Sequence, residues 1–427
     1  MRRRVLATLL VLVMSIAALA GCGGKSGDNS ANNEKQEKPD GIVLAIWDKV
    51  QEPGIRKICD DFTAETGIEV DIQITPWDQY WTMLEAGATG DSLPDVFWMH
   101  VREIEKYARA DMLLDLTENI DASDKISMDN YFTDVAQAYN YNGKQYAIPK
   151  DIDSIALWYN KTHFDEAGLA YPDDSWTWED LKEAAATLSN DEHKGFGSRI
   201  KNYQEGWYNL IYGNGGYVIN EVKDKSGYDD PKTIEAIDFF VDLVKDGSSP
   251  DNTVTAETDN IALFESGAIS MSLMGSWTAG ELTGNDYVKE HAGVAIIPKT
   301  EDGTRVSIYN GLGYAAAANT TSPDEAWSLI EYLGSETGQK KQAEYGVTLS
   351  AYKGASDQWA DHAEGFDLSP YIDVMDETLV FYPHSTNTTA WEDMSLESLV
   401  KAWNGEVSTE EACKEIADKM NALLAEE

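Results

Sequence analysis

Ile42-Val43-Leu44-Ala45-Ile46-Trp47 opens the foldable part of the chain. Six apolar residues without alternation describe a strand buried on both faces, as in the parallel sheets of α/β proteins. The following sequence keeps that rhythm. Ile55, Ile58 and Phe62 share one side of a helix that Gly67 stops, and Ile68 to Thr75 predicts a second strand ended by Pro76-Trp77. A helix over Tyr80 to Ala88 leads into a third strand, Asp95-Val96-Phe97-Trp98. This is β-α-β-α-β, the pattern of a doubly wound sheet, whose ligands bind beyond the carboxyl ends of the strands. Trp47, Trp77 and Trp98 stand at those ends.

A second α/β unit follows Tyr146-Ala147-Ile148-Pro149. Ile155 to Tyr159 predicts a strand, and Trp178 to Leu188 a helix capped near Ser175 or Thr177. Pro231 to Lys245 and Ile261 to Gly267 read as helices, the latter leading into a strand over Ala268 to Met274. Val294 to Ile297 and Gly311 to Ala317 predict further strands, Pro323 to Leu333 a helix, and Leu396 to Leu424 a helical end capped by Ser408 or Thr409. Gly41 to Glu427 is too long for one ordinary core and is expected to form two lobes.

The amino end decides the compartment. Arg2, Arg3 and Arg4 precede an uncharged apolar run, Val5 to Ala18, of signal-peptide length. The run ends in Leu19-Ala20-Gly21-Cys22, small residues before a thiol that can carry diacylglycerol. Residues 1–21 therefore read as a lipoprotein signal peptide. Cys22 reads as the lipidated residue, a membrane anchor that does not span the bilayer. Residues 22–40 contain no aromatic side chain and read as a flexible tether.

The formal net charge is −42, and removal of the leader takes away arginines and no acid. Such a field repels nucleic acid and anionic surfaces. Of three cysteines, Cys59 and Cys413 remain after Cys22, both in predicted helices. Two buried free thiols are expected, although an exported protein permits a bridge.

No nucleophile, nucleotide loop or metal motif stands out. The six histidines form no His-Glu-x-x-His pattern, no serine lies in Gly-x-Ser-x-Gly, and no Gly-x-x-x-x-Gly-Lys-Ser/Thr loop occurs. No cofactor or metal is implied. Acid pairs are too abundant in this chain to single out a glycosidase pair. The thirteen tryptophans are more telling. Sugars offer flat C–H faces and hydroxyl edges, and sites for them combine aromatic rings with carboxylates, amides and a few basic groups. Trp47-Asp48, Trp77-Asp78, Trp98 with His100 and Arg102, and Trp391-Glu392-Asp393 combine those groups in predicted loops. Trp158, Trp327 and Trp403 fall within predicted strands or helices and read as core.

The chain resembles the family 1 extracellular solute-binding proteins, the sugar-capturing lipoproteins of ABC importers, distantly similar to maltose-binding protein. The resemblance runs over Gly41 to Glu427. Its stretches are Thr66-Gly67-Ile68-Glu69-Val70, Leu93-Pro94-Asp95-Val96-Phe97-Trp98, Gly143 to Asp151, Leu157-Trp158-Tyr159-Asn160-Lys161, Phe264 to Ala268 with Gly275-Ser276-Trp277, and Asn310-Gly311-Leu312-Gly313-Tyr314.

The resemblance implies a two-lobed periplasmic-binding-protein-like α/β fold with the ligand in a cleft between discontinuous lobes. Crossings are expected near Ala147 to Asp151, Ile296 to Pro298 and Thr348 to Tyr352. Lobe 1 would then be residues 41–149 and 298–350, and lobe 2 residues 150–297 and 351–427. The cleft residues it carries over are Trp47, Asp48, Trp98, His100 and Arg102 from the first lobe. From the second come Asp151, Asp153, Trp207, Trp277 and Trp391, with Asn310 from its turn. Trp77 joins them from its strand end. Val101 stands where maltose-binding protein has an acid, a departure that bears on which sugar is held. The implied partners are a mono- or oligosaccharide and the permease subunits of an ABC transporter, with the chain a monomer that binds no nucleic acid. A non-sugar solute on the same fold and a secreted carbohydrate-active enzyme are the competing readings.

Overall fold

The computed structural model describes residues 41–90, 92–198, 204–356 and 358–427. The expected leader, Cys22 and tether lie outside the described residues. The strands are β1 (Ile42–Ile46), β2 (Val70–Ile74), β3 (Val96–Met99), β4 (Asn140–Tyr141), β5 (Lys144–Gln145), β6 (Ala147–Pro149), β7 (Ile155–Asn160), β8 (Met271–Gly275), β9 (Ala292–Ile296), β10 (Val306–Tyr309), β11 (Gly313–Ala316) and β12 (Thr378–Phe381).

The first lobe is built on a five-stranded sheet in the order β2-β1-β3-β11-β6. β1 runs parallel to β2 and β3, and β11 runs antiparallel to β3 and β6. The predicted β-α-β-α-β opening is thus the parallel half of this sheet. Buried along its whole length, β1 has no place for a polar residue, while β2 at the sheet edge buries only Ile72. The helix Glu52–Thr66 takes Pro53 in its first turn and ends on Gly67, whose φ of 77° lies in the left-handed region. Asp95 explains part of the Leu-Pro-Asp stretch. Its carboxylate accepts from Val43 N (3.1 Å) and Thr320 Oγ1 (2.6 Å), tying β1 to the segment after β11.

The second lobe contains an antiparallel sheet, β8-β7-β9, and a parallel pair, β10-β12; β4 and β5 form a separate hairpin. Trp158 of β7 is fully buried and donates its indole N–H to the Tyr371 hydroxyl at 2.7 Å. The helix Trp178–Leu188 starts from Thr177 with a reciprocal cap. The threonine hydroxyl accepts from Asp180 N, and the Asp180 carboxylate accepts from Thr177 N.

Three sequence expectations shift. Residues 298–309 stay with the second lobe instead of returning at Ile296 to Pro298. Lys299 bridges to Thr177, Arg305 donates to the Ile297 carbonyl (2.8 Å), and β10 pairs with β12. The turn between Thr300 and Thr304 folds this segment back on its own lobe, and the return falls at residues 310–313. The helix predicted from Tyr80 starts at Trp77, directly after Pro76, because proline can precede but not continue a helix. The C-terminal helical stretch is two helices, Thr388–Trp403 and Thr409–Leu424, separated at Gly405 (φ 73°), with Ser408 capping the second.

Cys59 and Cys413 are free and buried. Among the described residues no helix is long and apolar enough to cross a membrane, and no three metal-type side chains form a metal-binding group.

Candidate ligand-binding cleft

Tryptophan builds the first-lobe wall. Trp47 follows β1, Trp77 and Trp81 lie one turn apart on the helix after Pro76, and Trp98 belongs to β3. The Trp47 ring meets Trp77 at 5.0 Å, Trp98 at 5.1 Å and Trp81 at 5.9 Å, the first two edge to face. Tyr80 braces the two strand ends by donating its hydroxyl to the Ala45 and Trp98 carbonyls, at 3.2 and 2.9 Å. The indole nitrogens of Trp81 and Trp98 are buried without an acceptor among the described residues. Lys150 Nζ lies 4.3 Å from the Trp98 ring centre, held there by Asp151 (2.6 Å) and Gln51 Oε1 (3.0 Å).

The chain crosses between lobes beside this wall. Segments 149–153 and 310–313 lie side by side, with Lys150 N donating to the Leu312 carbonyl (2.7 Å) and Asp153 N to the Asn310 carbonyl (3.0 Å). Gly311 has no room for a side chain, since a Cβ would stand 2.3 Å from the Asp151 carbonyl oxygen. Asp151 accepts from Leu312 N (2.6 Å) and Lys150 Nζ, and Asp153 from Asn310 N (2.8 Å) and Gln204 Nε2 (2.5 Å). Burial, reinforced by the neighbouring Asp151, raises the Asp153 carboxyl well above its ordinary range, although its two donors pull the other way. The third crossing joins through Ile152 N to the Leu349 carbonyl (3.2 Å).

His100 and Asn310 link wall and crossing. Burial first, then the charges of Arg102 and His384, hold the His100 imidazole well below its usual pKa. A neutral ring carries one N–H. Nδ1 accepts from the Arg102 amide (3.2 Å), so Nε2 is the donor. The Asn310 carboxamide lies against that nitrogen, its Nδ2 2.7 Å away and its Oδ1 buried without a protein partner among the described residues, and a half-turn of the amide sets the oxygen against the ring N–H.

The second lobe contributes Tyr382, Thr389 and Glu392. Tyr382 stands 6.0 Å from the His100 ring and donates its hydroxyl to Glu392. Glu392 Oε2 lies 3.1 Å from Arg102 Nη2. Burial pushes the Glu392 carboxyl up to about 7 against the pull of Arg102 and Tyr382. Burial alone would lower Arg102, but Glu392, Tyr382 and Glu103 more than offset it, so the guanidinium stays charged. Trp277 lies partly exposed at the start of a short helical segment, its ring over Gly275, where a Cβ would meet it at 2.1 Å.

The structure therefore gathers Trp47, Trp77, Trp98, His100, Arg102 and Asn310. It engages Asp151 and Asp153 in the crossings. It turns Asp48 to its own loop, where the carboxylate accepts from Val50 N (2.7 Å) and Gln51 Nε2 (3.0 Å) ahead of the first helix. The rings of Trp207 and Trp391 are fully buried within the second lobe. Trp207 packs 5.3 Å from Trp403, and Trp391, helical rather than in a loop, donates to Ser385 Oγ at 3.0 Å. Sequence reasoning missed Trp81, Lys150, Gln204 and Tyr382 as site neighbours, and it named Glu392 only beside Trp391. Trp81 carried a usable signal, four residues from Trp77 on one helix face.

Two α/β lobes joined by three crossings, with an indole-lined wall at the crossing, define a two-lobed binding protein. Residues 48–340 match the model of the bacterial extracellular solute-binding protein family, and the chain belongs to that family. It is 24% identical over 326 residues to a galactooligosaccharide-binding protein of Bacillus subtilis, covering 73% of each chain. It is 27% identical over 249 residues to a maltotriose-binding protein of Pyrococcus abyssi, covering 56% of this chain and 50% of that one. Among solved structures, an ABC substrate-binding protein of Listeria monocytogenes in complex with cycloalternan superposes with a TM-score of 0.82 at 21% identity, over 90% of this chain and 99% of that one. The GacH receptor of Streptomyces glaucescens, solved unliganded and in complex with acarbose, gives 0.78 at 22% identity, over 91% and 99%.

Proposed function

We propose that this chain captures a sugar, and specifically an oligosaccharide, outside the cell and delivers it to the permease of an ABC transporter. The observation that carries this reading is the first-lobe wall. Four indoles meet there beside a neutral imidazole, and two of the indole N–H groups are buried without an acceptor among the described residues. Flat apolar rings match sugar C–H faces, and unpaired donors match hydroxyl oxygens. Relatives named for galactooligosaccharide and maltotriose binding support the same solute class.

Capture works by closure. The lobes bend about their crossings, the sugar loses its water, and the closed surface is what a permease reads. No bond is made or broken. Lipid on Cys22 keeps the carrier at the membrane it serves. Calorimetric titration with a panel of mono- and oligosaccharides tests the reading, which predicts tighter binding for at least one oligosaccharide than for its monomer. No heat from any sugar, with heat from a non-sugar solute, would overturn it. Reducing ends released over hours from a bound oligosaccharide would turn the carrier into an enzyme.

A further inference from the structure

The ion pair of Arg102 and Glu392 joins the two lobes. Arg102 follows β3 of the first lobe, and Glu392 lies fully buried on the second-lobe helix Thr388–Trp403. Beside the 3.1 Å pair, Arg102 Nη2 reaches Thr389 Oγ1 at 3.4 Å, and that hydroxyl donates to Glu103 Oε1 at 2.6 Å. Farther along, Thr386 Oγ1 donates to Glu105 Oε2 at 2.7 Å, and Lys223 Nζ lies 3.5 Å from Glu105 Oε1. Residues 102–105 of one lobe are thus met at successive points by residues 386–392 of the other.

This strap is shaped by its own lobe before it meets its partner. Ser385 N donates to Thr388 Oγ1 (2.7 Å), Thr388 Oγ1 donates back to the Ser385 carbonyl (2.6 Å), and Trp391 Nε1 donates to Ser385 Oγ. A pre-shaped strap loses little freedom on docking. None of these contacts needs a solute.

We infer that Glu392 is a positioning residue whose pairing with Arg102 holds the cleft closed before any solute is bound. Opening separates the ions and hydrates them. Truncating the Glu392 side chain instead removes both of its oxygens and leaves the guanidinium in its buried position with only Glu103 near it, whose Oε1 is 3.9 Å from Arg102 Nε, and the closed state pays for a poorly matched cation. The inference rests on the proposed reading of the cleft, but its test needs no sugar.

One nitroxide is placed on each lobe through Glu118→Cys and Glu410→Cys, both exposed positions, in a Cys22→Ser background, the other native thiols Cys59 and Cys413 being buried. Interlobe distances are measured by pulsed electron resonance on solute-free protein. The wild-type protein is expected to show a closed population, and Glu392→Ala to lower the closed-to-open ratio by about tenfold or more. Thr389→Val, which removes two hydroxyl contacts and no charge, is expected to shift the ratio the same way by less. Urea unfolding of each variant separates loss of closure from loss of fold. A wild-type distribution that is wholly open without solute, or a folded Glu392→Ala protein superposing on wild type, overturns the inference. Titrating the same labelled protein with the saccharide panel keeps the two readings apart. If no saccharide binds, the sugar reading fails while the solute-free shift stands; if saccharides close the lobes but the solute-free shift is absent, only the latch fails.

Discussion

Replacing Trp207 by alanine should remove stability and leave affinity in place. Its ring is fully buried in the helix Trp207–Gly213, 5.3 Å from the Trp403 ring at an interplanar angle of 54° and 6.2 Å from Tyr208. Truncating a buried tryptophan costs about 3–5 kcal/mol, through lost transfer free energy and the cavity left behind. Loss of the ring pair accounts for about 1 kcal/mol of that. The helix packs on β10, so the cavity opens inside the second lobe rather than in the cleft. Urea unfolding should show a lower midpoint at unchanged slope, and calorimetric titration below the transition should return a dissociation constant within about twofold of wild type. An unchanged midpoint together with a tenfold weaker constant would place the ring against the sugar and refute this packing argument.

Trp77 should behave in the opposite way. It is partly exposed and touches Trp47, His100 (5.6 Å) and the Arg102 guanidinium (5.9 Å), so Trp77→Ala should weaken saccharide binding about tenfold or more, with a stability loss below that of Trp207→Ala; normal binding to every saccharide would remove it from the site. His163 sets an acid limit on the fold. Burial first, then the charges of His193 and His291, depress it from 6.5 to about 4, so its contribution is complete above the unfolded value and is lost as pH falls through the folded one. The loss amounts to about 3 kcal/mol between pH 7 and pH 4, and His163→Gln should flatten that part of the stability profile; parallel wild-type and variant profiles count against it. Cys22→Ser should move the protein from the membrane to the soluble fraction without changing affinity, and a variant that still sediments with membranes argues against the lipid anchor.

The parallel half of the first sheet was legible because burial on both faces leaves an unmistakable apolar run at Ile42 to Ile46, with glycine and proline marking the helix ends. Trp178–Leu188 and Pro231–Lys245 match their sequence limits residue for residue, since a cap and a proline define where each begins. β10 and β12 were invisible locally. Each is four residues long, and they pair with one another across a long separation, so nothing in either segment announces its partner. The same gap misplaced the second crossing. At the cleft, strand-end position found Trp47, Trp77 and Trp98. Composition around a tryptophan does not report burial, however, which is why Trp207 and Trp391 could not be told from surface rings. Glu392 and Tyr382 gain their meaning from Arg102, which is distant in sequence, and no spacing rule brings them together.

The place of β11 has a consequence for how the molecule comes into being. It lies between β3 and β6, yet it follows both in the chain, with nearly the whole first stretch of the second lobe in between. Until residues 313–316 emerge, β3 and β6 each lack their shared neighbour, and the sheet is two fragments with raw edges. Pairing across so long a separation is slow. A chain made amino end first is therefore barred by its own strand order from finishing its first lobe before most of the second has been added.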